Sequence, residues 1–127
     1  MENPQPVTIA IVDDHAMLRQ AVNLRLSLLG YKVILEAENG QVFIDNLPKL
    51  PAPPDICLLD INMPVLDGFE TAIELKKSWP QIKILFFSMH NSNAFVCKAK
   101  QIGADGFLSK DASFEELNQA LKKALKK

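Results

Sequence analysis

ICLLDINMPVLDGFE, residues 56–70, decides how the chain folds. Ile56 to Leu59 are four apolar residues with no polar alternation, which suits a short strand buried on both faces. The strand stops on a carboxylate, Asp60. A short loop leads to Asp67-Gly68-Phe69-Glu70, where Asp67 stands as an acidic N-cap and Glu70 occupies the third helical position. This predicts a helix over about Gly68 to Trp79. PAPPD, at 51–55, is a rigid connector ahead of the strand. A doubly buried strand, a loop and a helix make one βα unit, the building block of parallel sheets.

The same grammar repeats in both directions. Upstream, Val7 to Val12 (VTIAIV) forms a first strand, followed at once by Asp13 and Asp14. A helix over about Ala16 to Leu29 places Leu18, Ala21, Leu24 and Leu28 at helical spacing, and Gly30 ends it as a C-cap. Lys32 to Ala37 form a second strand, and Asn39-Gly40 turns the chain into a helix of about Gln41 to Leu50. Downstream, Ile82 to Phe87 form a strand ending on Ser88. A shorter helix covers about Asn93 to Ile102 and closes at Gly103. Gly106 to Ser109 form the last strand, followed by Lys110. Ser113-Phe114-Glu115-Glu116 is a capping box opening a helix with Phe114, Leu117, Leu121, Ala124 and Leu125 on one stripe. Five β-α units predict an α/β doubly wound five-stranded parallel sheet, flavodoxin-like (βα)5, with right-handed crossovers and strand order 2-1-3-4-5.

The 127 residues read as one domain over 7–127, preceded by a loose lead-in over 1–6. With 14 basic and 15 acidic residues the net charge is −1, which offers no electrostatic footprint for nucleic acid or an anionic membrane surface. No apolar run approaches the roughly 20 residues of a membrane span, and the N-terminus lacks the pattern of a signal peptide. Cys57 and Cys97 sit in no metal-ligand spacing; Cys57, inside an apolar strand, reads as a buried thiol. Free thiols and the missing signal pattern point to the cytoplasm.

Ligands of such sheets bind beyond the carboxyl ends of the strands. There the chain places Asp13 and Asp14, then Asp60, then Ser88, then Lys110. Each alone has an ordinary reading: Asp14 as a helix cap, Lys110 as a surface charge, Ser88 as a strand-end residue. Asp60 resists one, because it closes an apolar strand where a lone carboxylate is costly. With strands one and three adjacent, three carboxylates converge. They repel one another, and a hard divalent cation with oxygen ligands, Mg²⁺, resolves the conflict. A carboxylate can attack phosphorus to form an acyl phosphate, and a lysine and a cation can neutralise the charge that develops.

The blocks IVDDH, LLDINMPVLDG, FFSMH and GFLSKD, in that order, resemble the receiver domains of two-component response regulators. With EAENG and GADGFLSKD added, the chain looks most similar to receivers of the NarL/FixJ (LuxR-type) transcription regulators. The resemblance runs nearly the whole length from Val7. It implies that Asp60 accepts a phosphoryl group from a sensor histidine kinase. Asp14 would be a direct Mg²⁺ ligand, Asp13 would act through water or orientation, and Asn62 would offer its backbone carbonyl. Pro64 and Gly68 would shape the loop, Ser88 would be the switch hydroxyl, and Lys110 would pair with the phosphoryl group. Phe107 stands at the family's switch aromatic, where many relatives carry Tyr. His15 is expected near the site's rim and His90, two residues after Ser88, is expected to influence water access, neither with a ligand role. The resemblance also implies a regulatory phosphoacceptor rather than an enzyme, homodimerisation on phosphorylation, and a DNA-binding domain outside this chain.

Two other aspartate- or phosphate-based readings fit less well. A haloacid-dehalogenase-type phosphatase needs a second Asp two residues after the nucleophile, where Asn62 stands, on the first strand rather than the third. A flavodoxin-like FMN binder needs a Ser/Thr/Gly-rich loop after strand one, where this chain has DDHAML. A phosphate-independent interaction module on the same fold is opposed by the intact acids and Lys110.

Overall fold

The computed structural model describes residues 5–90 and 92–126. Residues 1–4 of the expected lead-in lie outside that range; Gln5 and Pro6 are exposed and outside any regular element. Five strands and five helices alternate: β1 (Thr8–Val12), α1 (Ala16–Leu28), β2 (Lys32–Ala37), α2 (Gly40–Asn46), β3 (Ile56–Leu59), α3 (Gly68–Ser78), β4 (Lys83–Ser88), α4 (Asn93–Ile102), β5 (Gly106–Ser109) and α5 (Phe114–Leu125). The strands are all parallel in the order β2-β1-β3-β4-β5, as expected.

The uninterrupted apolar character of β3 now has its reason. Successive side chains point to opposite faces. Cys57 and Leu59 join Val12, Phe86, Phe69 and Leu75 in one core beneath α3. Ile56 and Leu58 join Ile11, Phe87, Leu26 and Leu121 in the other, beneath α1 and α5. A strand between two helical layers has no solvent face to give to polar residues. Each fully buried Leu, Ile or Phe adds roughly 1.5–3 kcal/mol of hydrophobic stabilisation.

Helix ends follow local chemistry. Asp67 and Ser113 each make the full capping box, with Glu70 and Glu116 reaching back to the cap N–H. Gly30, at φ 92°, turns the chain out of α1: its N–H donates to the Ser27 carbonyl, and Tyr31 N–H donates to the Leu26 carbonyl. Asn39 serves as N-cap of α2, its side chain accepting from Val42 N–H, rather than as part of a turn. That helix is shorter than expected. It passes into a 3-10 turn over Leu47–Lys49, because Pro48 has no N–H to continue it.

The apolar stripe of α1 differs from expectation. Leu24 and Leu28 are 63% and 74% exposed, and Ala21 is exposed too. Val22 and Leu26 are buried, and Leu18 packs beside them. Two apolar stripes share this helix, and the one through Leu18, Val22 and Leu26 meets the sheet. Strand β4 runs one residue later than expected, from Lys83. Ile82 N–H is taken by the Trp79 carbonyl in a turn, while Ser88 remains in register with Ser109. No helix among the described residues is long and apolar enough to cross a membrane.

Candidate functional site

Asp13, Asp60 and Lys110 lie one position past their strands, with backbones still tied to the ladder, and Ser88 is the last residue of β4. Asp13 N–H donates to the Ala37 carbonyl (3.0 Å), Asp60 N–H to the Val12 carbonyl (2.9 Å), and Lys110 N–H to the Ser88 carbonyl (3.0 Å). Sheet order therefore brings Asp13 beside Asp60, and the neighbouring strands carry Ser88 and Lys110 to the same edge. Carboxylate oxygens of Asp13, Asp14 and Asp60 and a ring nitrogen of His15 all lie within 4.8 Å of one another.

Lys110 is the cation of this cluster. Its Nζ lies 2.6 Å from Asp13 Oδ2 and 3.3 Å from Asp60 Oδ2, and its side chain is only 4% exposed. The other Asp60 oxygen, Oδ1, accepts from Ile61 N–H at 2.9 Å. Burial raises the Asp60 pKa from its ordinary value. Lys110 opposes that shift, the Asp13 charge adds to it, and the Ile61 hydrogen bond opposes it. One lysine thus leaves three neighbouring carboxylates under-compensated. Oxygen donors in surplus negative charge, with Asp14 open to solvent, fit a hard divalent cation.

Asp14 does not cap the following helix. The N-cap of α1 is His15, and it makes no side-chain cap hydrogen bond, so the Asp14 carboxylate stays with the cluster. Ser88 is fully buried; its Oγ accepts from His90 N–H at 3.0 Å, leaving the hydroxyl proton able to donate elsewhere. Asn62 is exposed in the loop after Asp60. His90 is exposed at the rim, its ring edge-on to Phe95 at 5.9 Å. Phe107 is half-buried and meets Phe86 at 6.2 Å. Phe86, Phe69 and Phe95 continue the contacts toward His90.

The β3–α3 loop is held tightly. Gly68 N–H donates to the Ile61 carbonyl at 2.7 Å, and a Cβ on Gly68 would lie 2.1 Å from the Asp60 carbonyl oxygen. Only glycine lets α3 start this close to Asp60. Leu66 N–H donates to the Pro64 carbonyl across Val65, whose φ is 70°. A β-branched residue in that region carries strain of order 1 kcal/mol.

Arg19 was not among the expected site residues. Its guanidinium donates to the Asp13 carbonyl, and its Nε lies 3.4 Å from Glu36 on β2, so it ties α1 and β2 to the acid-bearing loop. Its place on the helix gave no sign of these partners, which come from other elements. The rim position of His15 agrees with expectation, but its approach to the acids was not foreseen.

Residues 9–122 match the response regulator receiver domain family. Over 125 residues the chain is 40% identical to the nitrate/nitrite response regulator protein NarL of Escherichia coli K12, covering 98% of this chain and 57% of that protein. The chain spans about half the length of the curated relatives it matches. Among solved structures, the signal receiver domain of a NarL response regulator from Mycobacterium tuberculosis superposes with a TM-score of 0.87 at 33% identity, covering 97% of this chain and 98% of that one. RcsB from Salmonella enterica serovar Typhimurium, solved bound to a promoter in the presence of phosphomimetic BeF3⁻, gives 0.82 at 26% identity over 91% of this chain and 66% of that one. With the strand order, the acid cluster and these likenesses in agreement, the chain belongs to the response regulator receiver domain family.

Proposed function

We propose that this domain accepts a phosphoryl group from a sensor histidine kinase onto Asp60, in a reaction that needs Mg²⁺, and relays the change to a DNA-binding domain carried elsewhere in the protein. The observation that carries the reading is the Asp60 carboxylate, buried yet held against Lys110 and flanked by Asp13 and Asp14. Such a carboxylate gains more from new positive charge than an exposed one does.

In the transfer, an Asp60 carboxylate oxygen forms a bond to phosphorus as the bond to the donor nitrogen breaks, and the electron pair leaves with the donor imidazole. Asp14, Asp60 and the Asn62 carbonyl would hold the Mg²⁺, with Asp13 orienting it; when bound, the ion neutralises charge on the phosphoryl oxygens. Lys110 supplies fixed positive charge beside Asp60. Ser88 would turn its hydroxyl proton to a phosphoryl oxygen, drawing in the loop after β4, and Phe107 would rotate inward against Phe86. Phe107 lacks a phenolic hydroxyl, so its part in the switch rests on packing alone. Self-association on phosphorylation belongs to the same reading and is supported by the exposed Met17, Leu24 and Leu28 on α1.

Acetyl phosphate with Mg²⁺ tests the acceptor. Intact mass should rise by one phosphoryl group in the parent protein and stay unchanged in Asp60→Asn or in EDTA. Full modification of Asp60→Asn would overturn the assignment.

A further inference from the structure

We propose that His15 lends a ring nitrogen to the divalent cation held by Asp14 and Asp60, which gives this site selective affinity for borderline transition ions. The inference rests on the metal-dependent reading above and extends it to a residue that reading leaves idle.

His15 Nδ1 lies 3.2 Å from Asp14 Oδ1, the spacing of neighbouring ligands, and 3.2 Å from Asp13 Oδ1, with which it shares a hydrogen bond. Adjacent donors on an octahedral ion, each about 2.1 Å from it, stand roughly 3.0 Å apart. The ring thus sits one cis-ligand spacing from the Asp14 carboxylate. Donor atoms of all four residues also fall within 4.8 Å of each other, wide enough for opposite as well as adjacent positions around one ion.

The backbone holds the ring there. His15 N–H donates to Asp13 Oδ1 at 2.9 Å, which anchors the residue over the acids. As N-cap of α1 it has extended φ and ψ (−93°, 99°), and its side chain makes no cap hydrogen bond. The imidazole therefore has no competing task in the helix. Its side chain is 69% exposed, so the ring can rotate to offer a lone pair while the outer face of the ion stays open to water or phosphoryl oxygens.

Donor chemistry sets the consequence. Carboxylate, carbonyl and water suit Mg²⁺, whereas an imidazole nitrogen adds little for that ion and much for Co²⁺ or Zn²⁺. Calorimetric titration with Mg²⁺ and with Co²⁺ separates the possibilities on the parent protein, His15→Ala and His90→Ala. His15→Ala should weaken Co²⁺ binding by about tenfold or more while Mg²⁺ affinity changes by less than about twofold. His90→Ala should leave both as in the parent. In the Co²⁺-loaded parent, proton NMR should show strongly hyperfine-shifted ring resonances that vanish in His15→Ala.

Equal weakening of both ions in His15→Ala would mean that the histidine acts only through its contacts with the acids, and would overturn the inference. Loss of Co²⁺ affinity in His90→Ala instead, or no loss in either variant, would overturn it as well. In those cases Mg²⁺ binding to the parent survives, so the phosphoacceptor reading stands. Failure of the parent to bind any divalent ion would remove both.

Discussion

Lys110→Met takes the one buried ammonium out of the acid cluster and keeps most of its aliphatic volume. Its Nζ lies 2.6 Å from Asp13 Oδ2 and 3.3 Å from Asp60 Oδ2. At an effective dielectric of about 20, these separations correspond to roughly 6 and 5 kcal/mol of gross attraction. Desolvation of the ammonium and of two carboxylates offsets much of that sum. Removing one partner of a buried pair costs about 3–5 kcal/mol, because the other charge is left behind. Here the loss falls near the lower end, about 3 kcal/mol, since Asp60 already holds a raised pKa and can take up a proton.

With an unfolding entropy of about 2.1 cal/mol/K per residue, that loss lowers the Tm by roughly 11 °C for a chain of this size. Urea unfolding of parent and variant in EDTA at neutral pH measures it. The gap should narrow as pH falls and a proton replaces the lysine charge. It should also narrow on adding Mg²⁺, because ion and ammonium compete for the same carboxylates. Each tenfold gain in ion affinity recovers about 1.4 kcal/mol at saturation. A variant within about 0.5 kcal/mol of the parent in EDTA would refute the reasoning. So would a gap indifferent to both pH and Mg²⁺.

Asp60→Asn should be more stable than the parent in EDTA at neutral pH. The folded pKa of Asp60 is raised, chiefly by burial, so folding favours the protonated acid; the stability due to that proton is complete below the unfolded pKa and is lost as pH rises through the folded one. The advantage of the neutral amide should therefore fade in urea titrations below the ordinary carboxylate range, and a destabilised Asp60→Asn at neutral pH would contradict this. Gly68→Ala should cost about 1–3 kcal/mol or more in urea and slow labelling by acetyl phosphate, because its Cβ would meet the Asp60 carbonyl and the Ile61 Cα, both backbone atoms. Leu26→Ala, in the core beneath α1, should cost about 2–5 kcal/mol, while Leu24→Ala two residues away should change stability by no more than about 0.5 kcal/mol; a larger loss at Leu24 than at Leu26 would mean that α1 packs through its other stripe.

The amino-acid sequence by itself determined the elements and which polar residues meet at one edge of the sheet. Doubly buried strands announce themselves as unbroken apolar runs, as Ile56 to Leu59 show. Capping boxes at Asp67 and Ser113 mark helix starts, because orphan backbone N–H groups need those side chains next to them in the chain. The placement of Asp13, Asp14, Asp60, Ser88 and Lys110 followed from the rule that parallel strands end on one edge. Tertiary structure decided what distant partners do to one another. Periodicity allowed two stripes on α1, and only packing against the sheet chose Val22 and Leu26 over Leu24 and Leu28. A lysine in a sequence reads as solvated, and only the convergence of β1, β3 and β5 shows Lys110 buried against two carboxylates. Arg19 on the Asp13 carbonyl, and His15 between Asp13 and Asp14, were likewise invisible. Local sequence encodes dihedral preference and facing, whereas charge pairing through space depends on which strands become neighbours.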